Sequence, residues 1–152
     1  MRRRVVAVAG ASQADDALAH LARSVGSGLA RRGAVVVTGG LGGVMEAASE
    51  GARSAGGLTV GILPGADRRD ANRFVEIVLP TGLGEARNVL VALAGEALVA
   101  IGGGTGTLSE VALALKGGVR VVALEFSLSV EGMLRARNAD DAVDLALGPS
   151  RA

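Results

Sequence analysis

The chain has 152 residues, with 16 Lys and Arg against 15 Asp and Glu, one histidine and no cysteine. This balance argues against a dedicated nucleic-acid binder, which needs a basic excess to neutralise phosphates. The absence of cysteine excludes a disulfide framework, and one histidine cannot form a zinc site of the usual nitrogen and sulfur ligands. The unusual feature is glycine, which occurs 24 times and so at roughly twice the typical share of about 7%.

The N-terminal segment has three arginines followed by a short apolar run at residues 5–9. A signal peptide needs an apolar core of about 7–15 residues before its cleavage site, so we interpret this run as a buried strand. No apolar run approaches the roughly 18 residues that a membrane-spanning helix requires. We therefore expect a cytoplasmic protein that does not interact with a membrane.

Short apolar runs rich in valine alternate along the chain with segments of helical periodicity. In the first helical segment, apolar side chains recur at Leu18, Leu21, Val25 and Leu29, which is the spacing of one helix face. The predicted elements, in chain order, are strand 5–9, helix 15–32, strand 34–37, helix 42–54, strand 58–63, a polar loop 64–73, strand 74–78, helix 83–94, strand 97–101, helix 105–116, strand 119–124 and helix 139–147, which is capped by Asn138.

Continuously apolar strands that alternate with helices are typical of a parallel sheet covered on both faces. We therefore predict an α/β fold, a single-domain Rossmann-like doubly wound parallel sheet with helices on both faces. The predicted domain spans residues 1–152, with a core over about 4–124 and a C-terminal helix over 139–147.

Two helical segments, residues 89–94 and 111–115, are apolar nearly all round. A surface helix of a small domain usually keeps one polar face. We therefore expect these segments to be buried in a homodimer or a higher homo-oligomer. The alternative is that both helices pack deeply within one subunit.

Much of the glycine follows predicted strands, in turns after residues 5–9, 34–37 and 97–101. In an open α/β sheet, ligands bind outside the carboxyl ends of the strands. Bare backbone there lets N–H groups and helix N-termini face a phosphate. The sequence therefore predicts a crevice for a small anionic ligand, most simply a nucleotide phosphate. The predicted ligand-binding residues are Gly10, Ser12, Gly39, Gly40, Gly42, Gly43, Gly103, Gly104, Thr105, Gly106 and Thr107.

Two common nucleotide-binding motifs are missing from these turns. Because Lys116 is the only lysine and lies at a predicted helix end, there is no P-loop of the form Gly-x-x-x-x-Gly-Lys-Ser/Thr. The glycines at 39–43 also lack the Gly-x-Gly-x-x-Gly spacing that binds dinucleotides. The sequence therefore argues against a P-loop NTPase and against an NAD-dependent oxidoreductase.

A more specific pattern occurs at residues 102–110, Gly-Gly-Gly-Thr-Gly-Thr-Leu-Ser-Glu. It resembles the Pro-Gly-Gly-x-Gly-Thr-x-x-Glu motif of the LOG (LONELY GUY) family, once labelled "possible lysine decarboxylase". Residues 38–46 resemble the family's Gly-Gly-Gly-x-x-Gly-Leu-Met segment, and residues 84–88 lie where the family has Met-His-x-Arg-Lys. The resemblance covers about residues 4–124 and is strongest to a bacterial branch to which molybdenum-cofactor carrier proteins are similar.

The resemblance implies a phosphoribohydrolase, which cleaves the N-glycosidic bond of a nucleoside 5′-monophosphate to a base and ribose 5-phosphate. It implies Arg87 and Glu110 as the catalytic pair, with no metal and no required cofactor. A carboxylate suits this chemistry because positive charge develops at the sugar as the bond breaks. A pyridoxal-phosphate decarboxylase is excluded, since Lys116 at a helix end is poorly placed for a Schiff base.

The sequence departs from the family pattern at the positions around this pair. Gly84 and Glu85 replace Met-His, Asn88 replaces the lysine, Gly102 replaces the proline, and Ser109 replaces a position that is often acidic. The changes at Gly84, Glu85 and Asn88 favour the alternative function, a non-catalytic carrier or sensor that binds a nucleotide or a molybdopterin-type ligand.

Several candidate residues also have a structural interpretation. Thr107 and Glu110 have the spacing of a capping box, which would explain Glu110 without catalysis. Arg87 is predicted in a helix first turn, where a cation is unfavourable, and this favours a ligand or carboxylate partner. Glu46 suits a helix first turn in any case. For Glu85 the sequence leaves open a helix cap, a pair with Arg87 or a ligand contact.

Overall fold

The computed structural model describes residues 2–148, which form a seven-stranded parallel sheet with helices on both faces. Strands β1 to β7 are Val5–Gly10, Val35–Thr38, Thr59–Leu63, Ile77–Pro80, Ala97–Ile101, Arg120–Leu124 and Leu134–Arg135. Helices α1 to α5 are Asp16–Arg31, Val44–Ser54, Asn88–Ala92, Thr105–Lys116 and Ala139–Leu147. Two short 3-10 helices, Arg68–Asp70 and Gly84–Arg87, precede β4 and α3.

The strand order is β4-β3-β2-β1-β5-β6-β7. The chain therefore runs outward from β1 to β4 and then returns to place β5 on the other side of β1. Such a reversal makes a crevice at the carboxyl ends of the two central strands, where ligands of open α/β sheets bind. Gly10 pairs with Ile101 at this point, and the Ala11 N–H donates to the Ile101 carbonyl at 3.3 Å. The predicted Rossmann-like doubly wound fold is confirmed.

The core lies on both faces of the sheet because the central strands are apolar on both sides. In β1, Val6 and Val8 contribute to the cluster under α1, α2 and α5, whereas Ala7 and Ala9 contribute to the cluster under α3 and α4. This is the alternation of side chains that any strand imposes. It explains why the strand sequences are continuously apolar.

Side-chain caps begin two of the helices. Asp15 accepts from the Leu18 N–H at 2.8 Å at the start of α1, and Asn138 accepts from the Asp141 N–H at 2.8 Å at the start of α5. The predicted cap by Asn138 is therefore confirmed. Within residues 2–148, no helix combines the length and the apolar character needed to cross a membrane.

The predicted helix over 83–94 is wrong in extent. The structure has the 3-10 helix Gly84–Arg87 followed by the short helix α3, Asn88–Ala92. Gly84 has a left-handed backbone with φ +60°, and its N–H donates to the Pro64 carbonyl at 2.9 Å. The chain is thus held to the loop after β3 before the α-helix begins, and a regular helix cannot start at residue 83.

The predicted strand over 74–78 is displaced toward the C-terminus. The Phe74 N–H donates to Asn72 Oδ1 at 3.0 Å, so this residue closes a turn before β4 begins at Ile77. Pro80 ends β4, which is an edge strand and tolerates a residue without an N–H. The two-residue strand β7, Leu134–Arg135, follows the strand that we predicted to be last, and it is too short to leave a sequence pattern.

Candidate functional site

A cavity of about 470 Å³ lies at the reversal of the sheet, within the range of about 300–1,000 Å³ usual for small-molecule sites. Its walls come from the carboxyl ends of β1, β2 and β3, the first turns of α4 and the 3-10 helix before α3. The structure brings most of the candidate residues together here. Those that line the cavity are Gly10, Ser12, Gly39, Arg87, Gly104, Thr105, Gly106, Thr107 and Glu110.

The remaining candidate glycines lie outside this lining. Gly40 is buried, with its N–H donating to Thr38 Oγ1 at 3.0 Å. A Cβ at Gly43 would overlap the carbonyl oxygen of Ala11, and a Cβ at Gly103 would overlap Thr107 Oγ1. At these two positions glycine therefore permits close packing of chain segments. A Cβ at Gly42 would meet no atom closer than 3.7 Å, yet this residue does not line the cavity either.

The N-terminus of α4 forms one wall of the cavity. Gly104 is the N-cap and has no side chain to bond the N–H groups of the first turn, which comprises Thr105, Gly106 and Thr107. Such groups have no acceptor within their own helix. A Cβ at Gly104 or at Gly106 would meet no atom within 4 Å. The helix thus presents bare, uncapped backbone to the cavity, an arrangement that favours anions.

The capping-box interpretation of Glu110 is wrong. Because α4 begins at Thr105 with Gly104 as its cap, Thr107 lies inside the helix and does not precede it. Thr107 is buried, and Glu110 lies one turn further along, half-buried in the cavity wall. The helix start therefore gives no structural reason for a carboxylate at this position.

Arg87 is a buried cation with few acceptors. Its side chain is only 8% exposed. Nη1 donates to the Ile62 carbonyl at 3.3 Å, whereas the buried Nε finds no acceptor within residues 2–148. Burial lowers the pKa of the guanidinium, and the carboxylate of Glu110 partly opposes this effect. A buried charge normally has a full set of partners, so Arg87 has capacity to bind an anion.

The pKa of the Glu110 carboxyl group suits it to accept or donate a proton. Burial raises the pKa of its carboxyl group to about 7, although the positive charge of Arg87 acts in the opposite direction. Among the ion pairs of residues 2–148, none joins Arg87 to Glu110 within 4.0 Å. Near neutral pH the carboxyl group is thus present in both forms and can accept or donate a proton at the cavity surface.

The sequence patterns missed the apolar part of the cavity. Ala9, Leu41, Met45 and Pro64 line it. Pro64 directly follows β3, so the rule that ligands bind after strand ends could have identified it. These side chains offer a surface suited to a flat ring. Across residues 2–148, no three His, Cys, Asp or Glu side chains group together as a metal site.

Three of the five positions that depart from the family pattern also line the cavity, whereas Gly102 and Ser109 do not. Gly84, Glu85 and Asn88 are part of its lining. Glu85 is exposed and forms no ion pair within the described chain, so it does not bond Arg87. Asn88 Nδ2 reaches Ser109 Oγ at 3.5 Å. The changes at these positions therefore alter the surface that a ligand meets.

Comparisons with known proteins agree with this architecture. An uncharacterized protein of Archaeoglobus fulgidus is 42% identical over 146 residues, which cover 95% of each chain. The molybdenum cofactor binding protein of Rippkaea orientalis is 38% identical, with a TM-score of 0.90 over 95% of this chain and 96% of that one. The molybdenum cofactor carrier protein of Chlamydomonas reinhardtii is 35% identical, with a TM-score of 0.83 over 93% and 94% of the two chains.

The resemblance to LOG-like proteins and to the branch that includes molybdenum-cofactor carriers is thus confirmed. The model of one family, the SLOG cluster4 family, matches residues 3–149. Because that match spans nearly the whole chain, the protein belongs to the SLOG cluster4 family.

Proposed function

We propose that this protein binds a phosphate-bearing small molecule in the cavity and carries molybdenum cofactor there without changing it chemically. The observation that carries the proposal is the uncapped N-terminus of α4, whose bare glycines face the same cavity as the under-bonded Arg87. Two relatives of similar length, at 38% and 35% identity, are named for binding or carrying this cofactor.

The residues present fit such a cargo. The N–H groups of residues 105–107 and the hydroxyl of Thr107 are donors for its phosphate, and the Arg87 guanidinium adds a positive charge. The apolar wall that includes Leu41 and Met45 suits the flat pterin ring. No ligand of the metal itself is required from the protein, because the pterin holds the molybdenum.

The test is to purify the protein without oxygen from cells that synthesise the cofactor. The bound pterin is then released, oxidised and measured by fluorescence. We expect about one pterin per chain, and we expect the apoprotein to take up added cofactor in a titration. A protein that never copurifies with a pterin and shows no heat of binding on titration would overturn the proposal.

A second candidate is hydrolysis of a nucleoside 5′-monophosphate, favoured by the half-buried Glu110 whose pKa is raised to about 7 by burial. In that reaction water adds to the sugar C1′ as its bond to the base breaks. The products are ribose 5-phosphate and the base, which takes up a proton. Incubation with a panel of purine and pyrimidine monophosphates, followed by an assay of ribose 5-phosphate, tests this activity. Release of ribose 5-phosphate would replace the carrier function with a catalytic one.

Gly106→Ala tests the use of bare backbone at the start of α4. The added Cβ would meet no atom within 4 Å, so the free energy of unfolding should rise by about 0.5–1 kcal/mol, the usual gain when alanine replaces glycine in a helix. The affinity for inorganic phosphate should fall several-fold, because the methyl group stands beside the amides. Calorimetric titration and urea unfolding measure the two effects.

The matched control is Ala112→Gly, the reverse change at an exposed position of the same helix. This variant should lose stability and keep its affinity for phosphate. Equal affinities of the Gly106→Ala variant and the parent protein would contradict an anion site at this helix end.

We also propose that the protein forms a symmetric dimer through the α3 patch, which comprises Leu83, Val89, Leu90 and Leu93. These residues are 53%, 39%, 43% and 48% exposed, and large apolar side chains exposed close together in the chain favour an interaction site. Residues 111–115 of α4, by contrast, are mostly covered by their own subunit. Dimerisation is therefore expected at α3 and not at α4.

Light scattering coupled to size exclusion tests this assembly. The parent protein should elute as a dimer and Leu90→Glu as a monomer. Leu128→Glu, at an exposed leucine outside the patch, should remain dimeric. A parent protein that is monomeric at tens of micromolar would overturn the proposed dimer.

A further inference from the structure

We infer that Gly39 is a positioning residue: its missing side chain leaves the space in which the Arg87 guanidinium is held at the cavity wall. The sequence pattern placed Gly39 among residues that touch the phosphate, so this role is different. The effect of Gly39 on ligand affinity rests on the proposed function. Its effect on the position of Arg87 does not.

The space at Gly39 is already filled by other side chains. A Cβ built there would overlap Nη1 of Arg87, and it would lie 2.9 Å from Cζ of that residue and 2.8 Å from Met45 Sδ. Real Cβ atoms do not approach neighbours so closely. Any side chain at residue 39 therefore has to displace the guanidinium.

The backbone itself does not require glycine at this position. Gly40 and Gly43 have left-handed φ angles of +79° and +66°, whereas Gly39 lies outside the left-handed region. The atoms that a Cβ would meet are the ends of two flexible side chains, Arg87 and Met45. Alanine is thus compatible with the fold, and the consequence of the substitution falls on the position of Arg87.

The other side of this space is the carbonyl of Ile62, which accepts from Arg87 Nη1 at 3.3 Å. The guanidinium therefore lies between the ends of β2 and β3. After β2, Gly39 leaves room for it, and in β3 the Ile62 carbonyl accepts its hydrogen bond. Once displaced, it loses its hydrogen bond to Ile62. A cation without that acceptor gains by moving toward water, and so away from the buried wall.

This movement has a readout that does not depend on any ligand. The charged side chains that share the cavity lining with Glu110 are Arg87 and Glu85. Arg87 lowers the pKa of Glu110 against the larger effect of burial. When the guanidinium moves toward water, this attraction weakens, and the pKa of Glu110 should rise further above about 7.

The experiment compares Gly39→Ala with Gly42→Ala, a matched change in the same glycine run. At Gly42 the nearest atom to a Cβ is the Ser12 carbonyl oxygen at 3.7 Å, and φ lies outside the left-handed region. Carboxyl-carbon NMR titration should give a pKa for Glu110 that is higher by roughly 0.5–1 pH unit in Gly39→Ala. Gly42→Ala should give the parent value. An unchanged or lower pKa in Gly39→Ala would overturn the inference.

Three further measurements keep the result unambiguous. In a chain that already carries Arg87→Ala, adding Gly39→Ala should leave the pKa of Glu110 unchanged, because no guanidinium remains to be displaced. If Gly39→Ala alone fails to fold, Arg87→Ala should restore folding; a double variant that is equally unfolded contradicts the inference. Titration with inorganic phosphate separates the two proposals: a parent protein that does not bind phosphate counts against the proposed function only.

Discussion

Arg87→Ala is expected to weaken the binding of a phosphate-bearing ligand by about 10–150-fold. This loss corresponds to one charge-assisted hydrogen bond of about 1.5–3 kcal/mol. Arg87 can supply such a bond because it is buried and uses only Nη1, toward the Ile62 carbonyl. Calorimetric titration with inorganic phosphate and with a nucleoside monophosphate measures the loss.

The control for this prediction is Arg73→Ala. Arg73 is exposed and lies over the ring of Phe74 at 4.7 Å, outside the cavity lining. Its removal changes the net charge equally but takes no donor from the cavity. If both variants lost the same affinity, general electrostatic attraction would account for binding and Arg87 would have no specific role.

Glu110→Gln is expected to stabilise the protein, and this gain should grow as the pH rises above 4.5, the ordinary pKa value for the carboxyl group. The folded-state pKa of about 7 exceeds the ordinary value of 4.5 because burial disfavours the charged form. Below 4.5 the group is protonated in both states and has no effect. Above 4.5 the unfolded chain ionises while the folded state still holds its proton, so the stability of the parent falls as the pH rises from 4.5 through about 7 and stays lower above that value.

The measurement is urea unfolding of both proteins at pH 4.5 and pH 8. The gain of the glutamine variant should be near zero at the lower pH and about 1–3 kcal/mol at the higher one. Other carboxyl groups titrate equally in both proteins and cancel in the difference. If Glu110→Gln raised the free energy of unfolding equally at both pH values, ionisation of a buried Glu110 carboxyl group would not be the cause of the gain.

The same substitution separates a carrier from a hydrolase. If the protein cleaves nucleoside monophosphates, Glu110→Gln should lower turnover by about 10²–10⁴-fold, as expected when an acid–base group is removed, while ligand binding persists. Glu131→Gln, at an exposed glutamate outside the cavity lining, is the control and should keep full turnover. A carrier would show no turnover in any of the three proteins, and its cofactor binding would survive.

Local patterns predicted some elements well and others poorly. Strand 97–101 and helix 105–116 were predicted with the bounds that the structure has, because each is rich in apolar residues and is followed by glycine. The segment 83–94 has an apolar pattern as strong as theirs. Its first residues are nevertheless held by the bond from the Gly84 N–H to Pro64, a contact between distant parts of the chain that no local period reveals.

In the candidate site, too, some residues could be predicted from the local sequence and others only from the structure. Several glycine turns that follow strands at one edge of an open α/β sheet indicate a ligand there, so Gly10, Gly39 and residues 104–107 could be named from the sequence. The sequence could not show which glycines face the cavity. Gly39 and Gly43 occur in one run, yet one lies beside the Arg87 side chain and the other beside the backbone of Ala11.

By itself, the sequence determined the fold class, the edge of the sheet at which the cavity lies and the membership of a LOG-like family. These follow from apolar periods and short motifs, which are properties of neighbouring residues. Only the tertiary structure decided where Arg87 lies, why burial raises the pKa of the Glu110 carboxyl group and which glycines are bare toward the cavity. Those properties depend on burial and on contacts between segments far apart in the chain, and the folded arrangement alone brings such segments together.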